Sequence, residues 1–426
     1  MPDASPGTVT GAINRHADRT ARWSAIALGI SIPITVALNN LFLLFTLLAW
    51  LSSGHYRAKR EAFRHPVAVA SVALFVLLAV GTLYGAADVD YAALHLKKYA
   101  DFMLIPVFLS LFHDARSRYH AIHGFALSLA LVLLISYLLK LGVPLAIPSV
   151  QGHAGYPVVF KEHLTHNIFM AFAVFLYTWL ALSVKSRWAR LAWTVLAILA
   201  LINVTTLVHG ATGYLVLAGL LLLLGYRCVG WRGMAVSIFG IALLASALMT
   251  FTNPFEQRVT KIATELQDWQ PSSPANTSTG WRLEFYRTTL SLIAEHPLIG
   301  VGTGGFAPAY GKKVEGTGKV ATRNPHNEFL LMWAQLGIAG LAALIWLFAR
   351  QWQLAARLPT RLERELAGGL VVTMVIGCML NSLLLDHTEG LFYAWLTGVL
   401  YGGLKCAGAE NEARNEAPFV SATRIR

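Results

Sequence analysis

The 426-residue chain carries 34 Lys and Arg against 22 Asp and Glu, a net charge of +12, and is 56% apolar with only 13% charged residues. That balance, with a mean hydropathy of +0.55, argues against a set of soluble domains. Apolar stretches of about 17 to 25 residues recur along nearly the whole length, long enough as helices to cross ~30 Å of hydrocarbon, and their continuous apolar character argues against barrel strands.

The chain therefore reads as an all-α polytopic integral membrane protein. In chain order the apolar runs cover residues 23 to 38, 39 to 53, 66 to 85, 97 to 113, 119 to 141, 164 to 184, 188 to 207, 212 to 227, 232 to 252, 326 to 349, 367 to 386 and 389 to 405. They amount to about twelve spans, or about eleven if the first two form a tight hairpin.

The basic residues fall largely in alternate short loops: Arg57, Lys59, Arg60 and Arg64; Arg116 and Arg118; Lys185, Arg187 and Arg190; Arg227 and Arg232; Arg350, Arg357, Arg361 and Arg364. This is the positive-inside pattern, and with Arg15, Arg19 and Arg22 ahead of the first span it places both termini in the cytoplasm. Topology accounts for most of the charge, so no nucleic-acid partner is expected. The N-terminus lacks a signal peptide's short apolar core and cleavage site, so the first span is expected to be retained. Cys228 and Cys406 fall at cytoplasmic ends and Cys378 inside a span, which leaves no outward disulfide.

Four regions follow: residues 1 to 252 with the first nine spans, a long outward loop at 253 to 325, the last three spans at 326 to 406, and a cytoplasmic tail at 407 to 426. The outward loop is too long for a mere connection between helices. Its first part, through Pro271-Ser272-Ser273-Pro274-Ala275-Asn276-Thr277-Ser278, reads as a polar, helix-breaking and mobile lead-in. From Trp281 to Glu295 the apolar residues Leu283, Tyr286, Leu290 and Ile293 recur at helical spacing, with Thr277 or Ser278 available as cap and Pro297 ending the run. Arg282 and Arg287 sit on this amphipathic helix, about 140° apart in rotation. They either flank a substrate or snorkel into the interface.

Next comes Gly300-Val301-Gly302-Thr303-Gly304-Gly305-Phe306, a turn needing permissive backbone angles more than a phosphate loop, since it neither follows a strand nor opens a nucleotide-binding helix. Lys312, Lys313, Lys319 and Arg323 follow in the same outward loop, where the positive-inside rule does not ask for cations; an anionic partner or simple solvation explains them.

The segment Asn324-Pro325-His326-Asn327-Glu328 reads as a helix start, with Asn324 as cap, Pro325 at the first helical position and His326 in the first turn. The positive end of that helix biases His326 toward the neutral form, which can accept a proton from a hydroxyl. Further along the same helix Gly337 and Gly340 share one face and are assigned to close helix packing. His163 and His166 have a spacing that suits a metal, but no outward Cys joins them and Glu162 is the one further candidate ligand, so no metal site and no cofactor are expected. Asp386, His387 and Glu389 cluster at an outward helix end, where Asp386 either pairs with an arginine or His326 or is a solvated carboxylate.

The chain resembles the O-antigen ligase family, a branch of a superfamily that also holds O-antigen polymerases and protein O-oligosaccharyltransferases. The resemblance rests on His326-Asn327, nine residues, then Gly337-x-x-Gly340, on Trp281-Arg282-Leu283-Glu284-Phe285-Tyr286-Arg287 running into His296-Pro297-Leu298-Ile299-Gly300-Val301-Gly302, and on the layout of spans with one long loop. It implies metal-independent, inverting transfer of a glycan from undecaprenyl diphosphate to a sugar hydroxyl of lipid A-core, at the periplasmic face of a bacterial inner membrane. In that scheme His326 is the base, and Arg282 and Arg287 hold the diphosphate. Arg323, Asn327, Asp386, His209 and the position of Ala211 complete the candidate substrate-binding set.

One departure stands out. Related sequences often carry an arginine in a Gly-Arg-Thr-Gly-Tyr-like turn, and here the stretch reads His209-Gly210-Ala211-Thr212-Gly213-Tyr214. Either His209 or another basic group substitutes for it, or the chain is an engineered variant lacking a phosphate contact. Competing functions are a polymerase of the same superfamily and, from a different class, a lipid-linked glycan transporter. The transporter would be expected to carry buried charges near mid-membrane, of which the sequence has few.

Overall fold

The computed structural model describes residues 9–145, 147, 149–251, 253–271 and 273–404. Cys406 and the tail at 407–426 lie outside the described residues. Helix α1 (Val9–Ser31) packs on α2 (Val36–Ser52). The turn between them comes earlier than the expected boundary at 38 and 39, because Pro33 blocks continuation and Thr35 caps α2 by accepting from the Ala37 amide at 3.3 Å. Helix α3 (Tyr56–Phe63) is bent by 119° from α2. Then follow α4 (Pro66–Gly81), α5 (Val89–Lys98), a short 3₁₀ turn, α6 (Leu104–Leu111), α7 (Ala115–Lys140), α8 (His163–Ser183) and α9 (Arg187–Ile202).

Helix α9 runs into a π turn at Asn203–Leu207 and is followed by α10 (Ala211–Val229), α11 (Trp231–Phe251), α12 (Asn253–Asp268), α13 (Ser278–Glu295) and α14 (Phe306–Val314). The chain closes with α15 (Glu328–Ala355), α16 (Arg361–Leu380) and α17 (His387–Tyr401). Among the described residues six helices are long and apolar enough to cross a membrane, namely α7, α8, α9 with its π turn, α10, α11 and α15, and seven if the bent α2–α3 pair is one span. The protein is thus an all-helical, multi-pass membrane protein. Helix α8 lies at the centre, against α7, α9, α10 and α16, and α17 is buried along its length.

Two elements of the loop differ from expectation. Residues read as a helix-breaking lead-in begin with the helix α12, and the turn after it is pinned to α13. Ala275 donates its amide to Glu284 at 3.2 Å and accepts from the Trp281 indole at 2.7 Å. Helix α13 starts at Ser278, capped as expected by Thr277, whose hydroxyl oxygen accepts from the Gly280 amide.

Gly337 is the larger correction. With φ 64° and ψ −160° it breaks α15 instead of lining a helix-packing face. A Cβ there would lie 2.0 Å from the Leu298 carbonyl oxygen, so only glycine fits. The break lets α15 bind the glycine loop: Ala334 and Gln335 accept from the Val301 and Gly302 amides at 2.8 Å, while the Ile338 amide donates to Pro297 at 3.0 Å. Gly300, Gly302 and Gly304 all adopt positive φ, as a turn with permissive angles requires. The glycine loop is therefore a plug in the bundle. Two of the loop lysines are likewise committed within the protein, Lys313 to Glu295 and Lys319 to Glu284.

Candidate active site

A cavity of about 500 Å³ opens where the N-terminal ends of α8 and α10, the C-terminal end of α16, and helices α12 and α13 meet. His326, Arg282, His209 and Ala211 all line it, together with Lys261 and Asn167. Residues far apart in sequence are thus gathered at one end of the bundle. A second cavity of about 410 Å³ lies at the other end, around Asp18, Trp50 and Lys59. It contains none of the candidate residues.

His326 does not stand in the first helical turn. Asn324 accepts from the His326 amide at 2.7 Å, and the same oxygen accepts from the Ser382 hydroxyl at 2.6 Å, so the chain turns at Asn324 before a helix can begin. Asn327 is the actual cap of α15, accepting from the Leu330 amide at 3.0 Å. His326 sits just outside, at φ 55°, one of two non-glycine residues with positive φ among those described. Such backbone is costly for a side chain larger than glycine and is held only where surrounding bonds fix it. Here the Tyr286 hydroxyl donates to the His326 carbonyl at 3.2 Å, and the imidazole stacks on Phe285 with centroids 6.0 Å apart.

Burial, and then the nearby Arg282 guanidinium, hold the His326 imidazole below the usual histidine range. Both causes favour the neutral imidazole. Among the described residues none forms a hydrogen bond to its ring nitrogens, which leaves the base free to meet a hydroxyl.

His209 follows the π turn, the kind of helix irregularity often found at functional sites. Its Nδ1 lies 3.0 Å from the Tyr214 hydroxyl, and burial, then Lys140, lowers its pKa. Ala211 opens α10, and Gly210, which caps it, lines the cavity with Ala211, Thr212 and Gly213. The unsatisfied amides of a helix start favour an anion there. Beside them is Asn167 of α8, wholly buried, with neither its amide nitrogen nor its amide oxygen hydrogen-bonded. An unpaired buried amide is costly unless something in the cavity completes it.

The remaining candidates are placed differently. Arg287 and Arg323 are exposed and do not line the cavity. Asn327 spends both side-chain groups on structure, since its nitrogen also donates to the Met379 carbonyl at 2.9 Å. Asp386 is exposed and precedes α17 without capping it through its side chain. His163 lines the cavity whereas His166 turns to Asn203, with Nε2 3.0 Å from its amide oxygen, so the pair does not converge on one point. Residues that the sequence reading missed are Asn167, Lys261, Gln257 and Asn381, the last donating to Thr212 at 3.0 Å. Lys261 and Gln257 belong to the overlooked α12; the two asparagines carry no pattern that marks them.

The protein is thus a multi-pass helical bundle with a cavity at one end that is lined by Arg282, Lys261 and His326. Residues 196–345 match the family model described as O-antigen ligase. That stretch includes His209, Arg282 and His326. A search of curated proteins returns no match. Among solved structures, one chain from work on the structural coordination of polymerization and crosslinking by a peptidoglycan synthase complex aligns with a TM-score of 0.45 and 18% identity, over 79% of this chain and 96% of that one.

Proposed function

We propose that the protein is an O-antigen ligase that moves a glycan from undecaprenyl diphosphate to a sugar hydroxyl of lipid A-core, with inversion at the anomeric carbon. The observation that carries this reading is the shared cavity of His326 and Arg282. A neutral imidazole takes the proton of the acceptor hydroxyl while the acceptor oxygen bonds to the anomeric carbon. The bond from that carbon to the diphosphate oxygen breaks on the opposite face. Negative charge grows on the departing undecaprenyl diphosphate, and charge-assisted hydrogen bonds from Arg282 stabilise it.

In this reading the arginine expected at Ala211 is replaced by several groups. The start of α10, the unpaired amide of Asn167, His209 and Lys261 surround the same volume. Arg287 and Arg323 then act at the rim, where they attract the anionic lipid before it enters. The proposal includes about twelve spans, both termini in the cytoplasm and the 253–325 segment in the periplasm of a bacterial inner membrane.

Reconstituting the purified protein with undecaprenyl-diphosphate-linked glycan tests it. A ligase forms product only when lipid A-core is added. Chain growth without core identifies a polymerase of the same superfamily and overturns the acceptor assignment.

A further inference from the structure

We propose that the groove beside α12 is a glycan-binding subsite that extends the reaction cavity, which deepens the ligase reading and rests on it. The groove has a volume of about 620 Å³ and is lined by Glu265, Asp268, Trp269, Gln270 and Asn276, among others. Lys261 lines both it and the 500 Å³ cavity, so a chain of sugars attached at the reaction centre can run directly from one into the other.

The lining suits a sugar and little else. A pyranose ring has an apolar C–H face that packs on an indole, and a rim of hydroxyls that pair with carboxylates and amides. Two carboxylates disfavour a second phosphate, and the scarcity of aliphatic side chains disfavours a polyprenyl tail. The walls are held by hydrogen bonds within the protein. Glu265 is buried and accepts from the Thr279 amide at 3.1 Å, and Gly280, lacking a Cβ, admits the edge of Trp269, whose Cδ1 would lie 3.3 Å from one. Ala275 is held at both its amide and its carbonyl by Glu284 and Trp281 of α13. A groove held in this way loses little freedom on binding.

The sugar comes either from the donor glycan or from the core oligosaccharide of the acceptor. The test measures binding of three probes to full-length protein in nanodiscs: undecaprenyl diphosphate carrying one glycan repeat, bare undecaprenyl diphosphate, and delipidated core oligosaccharide. Trp269→Ala is expected to weaken one sugar-bearing probe by about tenfold, a loss of ~1.4 kcal/mol, and to leave the bare lipid within about twofold. Weakened donor binding assigns the groove to the donor glycan, and weakened core binding to the acceptor.

Trp269→Phe should restore most of the affinity. Should Trp269→Ala weaken all three probes alike, the exposed Asp268→Asn is measured in its place, with the same selective loss expected. Unchanged binding of both sugar probes overturns the subsite. Because binding is read without turnover, failure of glycan transfer to core counts against the ligase reading and leaves this inference to its own result.

Discussion

The Tyr286 hydroxyl donates to the carbonyl of His326 at 3.2 Å and lies 3.4 Å from the Met379 carbonyl. One phenol thus ties α13, which carries Arg282, to the turn that carries the imidazole and to the end of α16. Tyr286→Phe removes the tie without removing the ring. A hydrogen bond of this kind is worth ~1 kcal/mol, so kcat is expected to fall about fivefold, with little change in the KM for donor. Equal kcat values for the two proteins in a reconstituted assay would show that the turn is held by other means.

The pH dependence follows from the same pair. Burial and Arg282 both lower the His326 pKa. A base works when neutral, above its pKa, so activity should persist below the ordinary histidine value of 6.5 before it falls on the acid side. Arg282→Met removes one of the two causes. The acid limb of kcat/KM should then move to higher pH, in addition to an overall loss; a limb that stays in place would show that the guanidinium does not act on the imidazole.

Ala211 faces the cavity at the first position of α10. An arginine introduced there can reach the volume assigned to the diphosphate. Ala211→Arg is therefore expected to preserve or raise the transfer rate, as measured in membranes with saturating acceptor. A clear loss of activity would mean that this helix start does not face phosphate.

Asn167 separates binding from folding. Its amide is buried without a hydrogen bond to another protein group, so Asn167→Ala removes no internal partner. Thermal stability should be held or slightly raised, because an unsatisfied polar group is gone. Affinity for undecaprenyl diphosphate should nevertheless fall by about fivefold, the loss of a hydrogen bond of ~1 kcal/mol. Unchanged lipid affinity would remove Asn167 from the site.

Gly337→Ala makes the opposite case, a structural position inside the signature motif. The added Cβ meets the Leu298 carbonyl oxygen at 2.0 Å on a backbone with φ 64°. A cost of about 2 kcal/mol or more is expected, read as a lower Tm in detergent together with reduced activity. A variant with unaltered Tm would contradict the account of the α15 break.

How far the sequence could be read depended on what kind of signal each residue leaves. Long apolar runs and the amphipathic α13 were legible because periodicity and length determine them; His326 stood out as an ionisable group at a helix start, Arg282 as a cation on α13, and His209 only through the departure from the family's arginine-bearing turn. Helix α12 was not legible, since Pro254 and a polar composition resemble a loop and the helix is fixed by contacts with α11 and α13. The cap at Asn327 was misplaced by three residues because Asn324 offers the same chemistry and spends it on a turn and on Ser382. Gly337 looked like a packing residue because a break in a helix leaves no mark when glycine permits both. Asn167 and Asn381 are single amides in apolar or mixed surroundings, and only tertiary placement reveals them.

The central claim is that His326 is the base for glycan transfer. Its most direct test is the initial rate of transfer from undecaprenyl-diphosphate-linked glycan to lipid A-core by purified His326→Ala, compared with the unsubstituted protein at equal donor occupancy. The account predicts a fall of about 10²-fold or more, the usual worth of a positioned base, with donor binding retained. A rate within a few-fold of the unsubstituted protein would contradict it.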